Sequence, residues 1–390
     1  MKTSLNNGTL TAYLSGRVDS ANAPELESEL SAVREANAHE AMLLDMQELE
    51  YISSAGLRVI LRLRKAEPEL RLVGVPAAVY EILDITGFTE LLPVERAYRS
   101  VSVEGCEAIG QGANGVVYRL DKDTAVKVYR NPDSLPDVRC ERELARKAFV
   151  LGIPTAIPYD VVRVNGSYGS VFELLNSRSF SKLIAAEPEN MDKYVGLYVE
   201  LMKKMHSTHV APGEMPDMKE FGRDCVRYCR ERLAPELGAK LAALVEAIPD
   251  TGTMIHGDFH TNNIVMQNDE VLLLDMDTLS TGHPIFELAY MYMGFVGFGE
   301  ENPEEAVSFL RMPYETSKLF WRKALRLYLG SGDEEYVRSV EERAMALAYA
   351  RMLRRSLRRN AAESEAGRRS AALYERRLNE LLPRLDRLDF

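Results

Sequence analysis

Along the first hundred residues the apolar positions switch repeatedly between a period of two and a period near that of a helix. Residues 10–18 alternate as a strand with one buried face does. Pro24 then opens a helix on which Leu26, Leu30 and Val33 form one apolar stripe. Ala41, Met42, Leu43 and Leu44 make the continuous run of a buried strand, and Leu57, Ile60 and Leu61 mark the next helix. A strand over 70–75 and a helix near 77–83, stopped before Gly87, follow. Strands alternating with helices in short units predict a small α/β domain over residues 1–98, its helices packed on a mostly parallel sheet.

Beyond about residue 104 the pattern changes. Residues 116–118 and 124–128 are β-rich, 140–149 is a helical stretch ending at Gly152 and Pro154, and 170–175 reads as a buried strand leaving for a linker. Val271, Leu272, Leu273 and Leu274 form another apolar run. Residues 288–298 are apolar but too short to span a bilayer, and read as a core helix.

The chemistry concentrates where these elements meet. His256-Gly257-Asp258-Phe259-His260-Thr261-Asn262-Asn263 precedes Asp275 by twelve positions. Asp258 followed five positions later by Asn263 suits a carboxylate for an incoming hydroxyl and an amide oxygen for a metal ion. Asp275, at the end of the following strand, can hold magnesium against nucleotide phosphates. A polar surface turn is the competing reading, since these residue types favour turns. Upstream stand Gly110, Gly112 and Gly115, with Lys127 on a following β-rich segment. That spacing fits a strand-turn-strand over ATP phosphates, with Lys127 reaching the α and β phosphates. No helix opens at the third glycine, which disfavours a dinucleotide site. Glu143 on the 140–149 helix is the expected partner of Lys127, with Glu141 as competitor. Glu173 and Leu175 lie where a linker backbone would meet adenine.

In this order, these parts resemble the aminoglycoside phosphotransferase and choline kinase group of small-molecule kinases, whose loop reads H-G-D-x-H-x-x-N. The resemblance covers residues from about 104 to 390. It implies an α+β two-lobed protein-kinase-like fold, with an N-lobe over 99–175 and a helical C-lobe over 176–390. ATP and Mg2+ are then the expected cofactors, Asp258 the catalytic residue, Asn263 and Asp275 the metal ligands and His256 a support for the loop. Asp277 sits where some relatives carry a further acidic ligand. His283 and Glu287 replace the group's usual aspartates, departures that concern loop support more than chemistry.

The amino-terminal segment Leu44-Asp45-Met46 with Tyr51-Ile52-Ser53-Ser54-Ala55-Gly56-Leu57 resembles the STAS domain of anti-sigma factor antagonists. The resemblance implies a protein partner and a serine phosphorylated at a helix N-terminus, where the phosphate would meet free backbone amides. Ala55 occupies the usual acceptor position. Ser54, then Ser53, are the remaining phosphosites, against the plain alternative that they cap the helix.

With 390 residues and 46% hydrophobic content the chain can bury two cores. A net charge of −11 argues against nucleic-acid binding and favours solubility or a cationic substrate. The exception is the basic run from Arg351 to Arg359, expected as a solvated helix face partnered by Glu341, Glu342, Glu363 and Glu365. Cys106, Cys140, Cys225 and Cys229 are sparse and irregular, as in a reduced cytoplasmic protein. His206 and His209 suit a structural helix end better than a metal pair, and no apolar leader or membrane span is visible.

The expectation is a cytoplasmic fusion of a STAS domain with an ATP-dependent phosphotransferase whose acceptor is a hydroxyl of a small molecule of amino alcohol, aminoglycoside or sugar type. The alternative is a partner-switching signalling regulator, or a protein kinase acting on its own STAS domain or on a partner.

Overall fold

The computed structural model describes residues 1–112, 114–359 and 364–390; Ala113 of the glycine-rich turn and Glu363 of the acidic residues named above lie outside them. The chain divides into two compact units. One is Met1–Glu104 with Val161–Tyr168, the other Gly105–Asp160 with Gly169–Phe390.

In the first unit β1 (Lys2–Asn6) folds back antiparallel on β2 (Thr9–Val18). The chain then alternates through α1 (Ala23–Ala36), β3 (Ala41–Ile52), α2 (Ser54–Ala66), β4 (Leu70–Val75), α3 (Ala77–Ile85), α4 (Phe88–Leu91) and β5 (Val94–Arg96). The sheet order is β1-β2-β3-β4-β5, and every pairing after the first is parallel. This is the α/β domain that the strand and helix periods predict. Leu10, Ala12 and Leu14 of β2 and Met42, Leu44 and Met46 of β3 are buried at alternate positions. The odd step to Leu49 coincides with a register shift, where Tyr13 faces Asp45 but Ser15 faces Glu48. On α2 the buried stripe is Leu57, Val59, Ile60 and Leu63, whereas Leu61, expected to face inward, is exposed. Ser53 caps this helix by accepting from the Gly56 N–H at 3.4 Å, and Ser54 is its exposed first residue.

The second unit opens with β6 (Ala108–Gln111), β7 (Gly115–Arg119), β8 (Thr124–Tyr129) and α5 (Leu135–Val150); β9 (Pro158–Val164) and β10 (Ser167–Glu173) follow, with residues 161–168 of this pair grouped in the first unit. The strands form a sheet of order β6-β7-β8-β10-β9. After β11 (Arg178–Ser179) come α6 (Phe180–Ala186), α7 (Met191–Ser207), α8 (Met218–Cys229) and α9 (Pro235–Glu246). Four short strands then shape the polar loop: β12 (Met254–Ile255), β13 (Ile264–Gln267), β14 (Glu270–Leu273) and β15 (Ser280–Thr281). α10 (Ile285–Phe295), α11 (Pro303–Leu310), α12 (Tyr314–Leu329), α13 (Glu334–Arg358) and α14 (Glu365–Leu381) complete it. A sheet-rich part followed by a helix-rich part is the α+β arrangement expected of a kinase-like chain. Every residue of α10 is buried, which accounts for its apolar sequence. Around it pack Tyr198, Phe320, Trp321 and Tyr349, all within 1% of full burial. No described helix is long and apolar enough to cross a membrane.

Candidate active site

The polar loop is held from beneath by main-chain and buried side-chain bonds. The Glu287 carboxylate, fully buried on α10, accepts from the N–H groups of His256 at 2.5 Å and Gly257 at 3.1 Å. His256 accepts from the Asp258 N–H through Nδ1 at 3.2 Å, so its Nε2 carries the proton donated to the Leu274 carbonyl at 3.0 Å. Loop and β14 are thereby tied together through one ring. Gly257 has φ of +79°, and a Cβ there would stand 2.8 Å from the Thr278 carbonyl oxygen, so glycine is required. Tyr198 donates to the Phe259 carbonyl at 2.6 Å, and Ser181 and Thr261 share a hydroxyl bond at 2.7 Å.

On this base Asp258 presents its carboxylate. Asn263 donates from Nδ2 to the Asp258 carbonyl at 3.1 Å and to its Oδ2 at 3.4 Å, leaving the amide oxygen for another partner. His260 Nε2 lies 3.5 Å from Asp258 Oδ2. Burial pushes the Asp258 carboxyl up, but the neighbouring imidazoles of His260 and His256 outweigh it and bring it down to about 2.

A second cluster gathers around Lys127. Its ammonium donates to Glu141 at 2.9 Å and to Asp275 at 2.7 Å. Tyr129 also donates to Glu141, and Asn114 donates to Asp277 at 2.8 Å. Glu143, the expected partner, points away and pairs with Arg146 at 2.7 Å. The reason is helical phase: Val138, Ala145 and Ala148 line the buried side of α5, and Glu141 falls on that stripe while Glu143 does not. Oxygens of Glu141, Asp275 and Asp277 lie within 4.8 Å of one another. Burial, then the adjacent Asp275 charge, pushes the Asp277 carboxyl up to about 7 against the pull of Lys127. Three crowded carboxylates, one of them resisting ionisation, fit a divalent cation, whose charge would relieve that repulsion.

The glycine-rich turn is split in its reasons. A Cβ at Gly115 would fall 2.2 Å from the Val128 carbonyl oxygen, so β7 and β8 demand glycine there. Gly110 and Gly112 face open space or ordinary contact. Glu173 ends β10, and its N–H donates to the Ile157 carbonyl at 3.0 Å; Leu175 lies just beyond, partly buried. Tyr129 and Asn114 were missed at the sequence level and carried no usable signal there, whereas Glu141 was ranked second to Glu143 and His260 was part of the loop pattern without a role of its own.

The C-terminal basic run departs from expectation in part: Arg355, Arg358 and Arg359 are exposed, whereas Arg351 and Arg354 turn inward. Arg354 pairs inward with Asp224, and Arg351 lies against the rings of Tyr290 and Phe221. Glu341 instead accepts from Trp321, Glu342 pairs with Arg384 and Glu365 with Arg369. His206 bonds Tyr328 at 2.7 Å and stands 3.9 Å from Glu287, a structural position.

The family model described as "Phosphotransferase enzyme family" matches residues 105–318, which take in both the glycine-rich turn and the polar loop. The chain belongs to this phosphotransferase family. The STAS domain model matches residues 1–101, so the phosphotransferase carries an amino-terminal STAS domain. That part is similar to BtrV of Bordetella bronchiseptica, named as an anti-sigma factor antagonist. The two are 44% identical over 92 residues, which is 23% of this chain and 78% of the other. Among solved structures, the phosphotransferase is similar to the gentamicin complex of APH(2")-IIa, with 15% identity, 73% of this chain and 93% of that chain covered, and TM-score 0.46. A choline/ethanolamine kinase family protein from Mesorhizobium loti gives 15% identity, 73% and 89% coverage and TM-score 0.48.

Proposed function

We propose that the chain transfers the γ-phosphoryl group of ATP to a hydroxyl of a small molecule. The observation that carries this reading is the juxtaposition of Lys127 with Glu141 and Asp275, in a chain that also carries Asp258 bonded to Asn263. Lys127 would bind the α and β phosphates, and Gly110 and Gly112 would let backbone amides approach them. Asp275 and Asp277, with the amide oxygen of Asn263, would hold magnesium, which supplies charge neutralisation for the phosphates when bound. Glu173 and Leu175 stand where the linker backbone would meet adenine.

Asp258 would accept a hydrogen bond from the acceptor hydroxyl and orient its oxygen. As the new O–P bond forms, the hydroxyl proton passes to Asp258, and the bond to the leaving oxygen breaks with its electron pair remaining on ADP. A carboxyl held near 2 is a weak base. Its main contribution is therefore positioning, with the proton taken late, as a loose transition state allows. His256 and Glu287 keep the loop in place without touching the reacting atoms.

The STAS domain would act as a docking or regulatory module for a protein partner. Ser53 serves its helix as a cap, and Ser54 is the exposed residue open to modification. The test of the enzymatic reading is magnesium-dependent nucleotide binding together with ADP release over amino alcohols, aminoglycosides and sugars, in the native chain and in Asp258→Asn. Binding retained in both, with release lost in the variant, supports it; equal release in both overturns it.

A further inference from the structure

Three carboxylates on α8 and between α10 and α11 are bonded within the chain. Glu300 is bonded to Tyr292, Tyr349 and Arg377. Glu301 is bonded to Arg369 and Ser370, and Asp224 to Arg227 and Arg354. A cationic acceptor would find these groups already neutralised.

The arginines of α13 show the opposite balance. Arg351 is inserted between α8 and α10, 4.8 Å from the Phe221 ring centre, and its Nη1 is buried with no hydrogen-bond partner among the described residues. Burial lowers its pKa from the ordinary arginine value, yet a guanidinium does not surrender its proton in a protein. A buried cation lacking a bonded anion is unfavourable unless something binds there. Its charge acts on Asp258, as does that of Arg355 one turn further on. Arg355 lies 5.0 Å over Phe298, Phe298 meets Phe309 at 5.3 Å, and Phe309 meets the His260 ring at 4.7 Å. This aromatic wall leads from Arg355 to His260, whose Nε2 lies 3.5 Å from Asp258 Oδ2. Arg355 has no ion pair among the described residues.

We propose that the acceptor carries, besides its hydroxyl, an anionic group, a carboxylate or a phosphate, that pairs with Arg351, with Arg355 at the outer edge. The inference rests on the phosphotransferase reading above and narrows its acceptor to hydroxy acids, sugar acids or phosphorylated polyols. A planar guanidinium matches either anion in a two-point bond, which a lysine would not reproduce.

The experiment compares matched acceptors on the full chain with magnesium and ATP: glycerol, glycerate and glycerol phosphate; glucose, gluconate and glucose phosphate; and choline as the cation. The anionic member of a series should show kcat/KM at least about tenfold above its neutral counterpart. Arg351→Gln should raise KM for the anionic acceptor by about 30-fold and for the neutral one by less than about threefold, with Arg351→Lys in between. Arg355→Gln, at an exposed position where folding is not at stake, should raise the anionic KM by about fivefold. Preference for neutral or cationic members, or no turnover of any anionic member, overturns the inference. If magnesium-ATP still binds and another acceptor is turned over, the phosphotransferase reading stands; if nucleotide does not bind, both fall.

Discussion

At the residue scale the site divides into groups that chemistry forces and groups that phase selects. Asp258, Asn263 and Asp275 were visible in the sequence because their types and spacing are local, and local order survives without any knowledge of packing. Asp258→Asn should leave nucleotide affinity within about twofold while lowering kcat by about a hundredfold or more, read from steady-state ADP release. The partner of Lys127 was a harder choice, since two carboxylates stand two positions apart on α5. The stripe of Val138, Ala145 and Ala148 contained the answer: Glu141 shares it, and Glu143 pairs at the surface with Arg146. Glu141→Gln should therefore weaken nucleotide binding by about tenfold, and Glu143→Gln should change it by less than about twofold, by titration calorimetry. Equal effects would contradict the assignment. Arg351 had no such signal, because the rings that bury it come from α8 and α10, far away in sequence.

At the scale of elements, the polar loop depends on the start of α10. The Glu287 carboxylate takes two loop N–H groups, and His283 Nδ1 accepts from the Ile285 N–H at 3.1 Å. Gly257→Ala would place a side chain on a positive-φ residue against the Thr278 carbonyl, with an expected loss of about 2 kcal/mol or more in denaturant unfolding, and loss of turnover. His283 adds a pH dependence. Burial depresses its imidazole to about 4, opposed by Asp389 and reinforced by His206 and Arg387. The unfolded chain then binds a proton below about 6.5 that the folded chain refuses until about 4, so stability falls as pH drops through that window and levels below it. His283→Asn keeps an acceptor for Ile285 and should flatten this acid slope, measured as unfolding midpoint against pH. An unchanged slope would place the sensitivity elsewhere. The elements themselves followed from periodicity, but the inward face of α2 was misjudged at Leu61 because three apolar residues stood where two could point inward.

At the scale of the whole molecule, the change of pattern near residue 104 reflects two separate hydrophobic cores, one built on the parallel sheet and one on α7, α10, α12 and α13. Residues 1–104 carry their own sheet and buried cluster, so that fragment should fold alone, with cooperative thermal unfolding by circular dichroism. A fragment lacking a cooperative transition would contradict a self-sufficient core. The short segment 161–168, which is grouped with this unit, could not be read from the sequence, because a hairpin's own residues carry no mark of its long-range grouping. The destination of the phosphoryl group decides between an enzyme for small molecules and a regulator acting on its own STAS serines. The direct measurement incubates the full chain with magnesium, an acceptor mixture and ATP labelled at the γ phosphate, then separates precipitated protein from soluble product. Label should leave ATP into a soluble organic phosphate, in the native chain and not in Asp258→Asn. Stoichiometric label on Ser53 or Ser54, lost in Asp258→Asn, with none in soluble organic phosphate, would contradict the account.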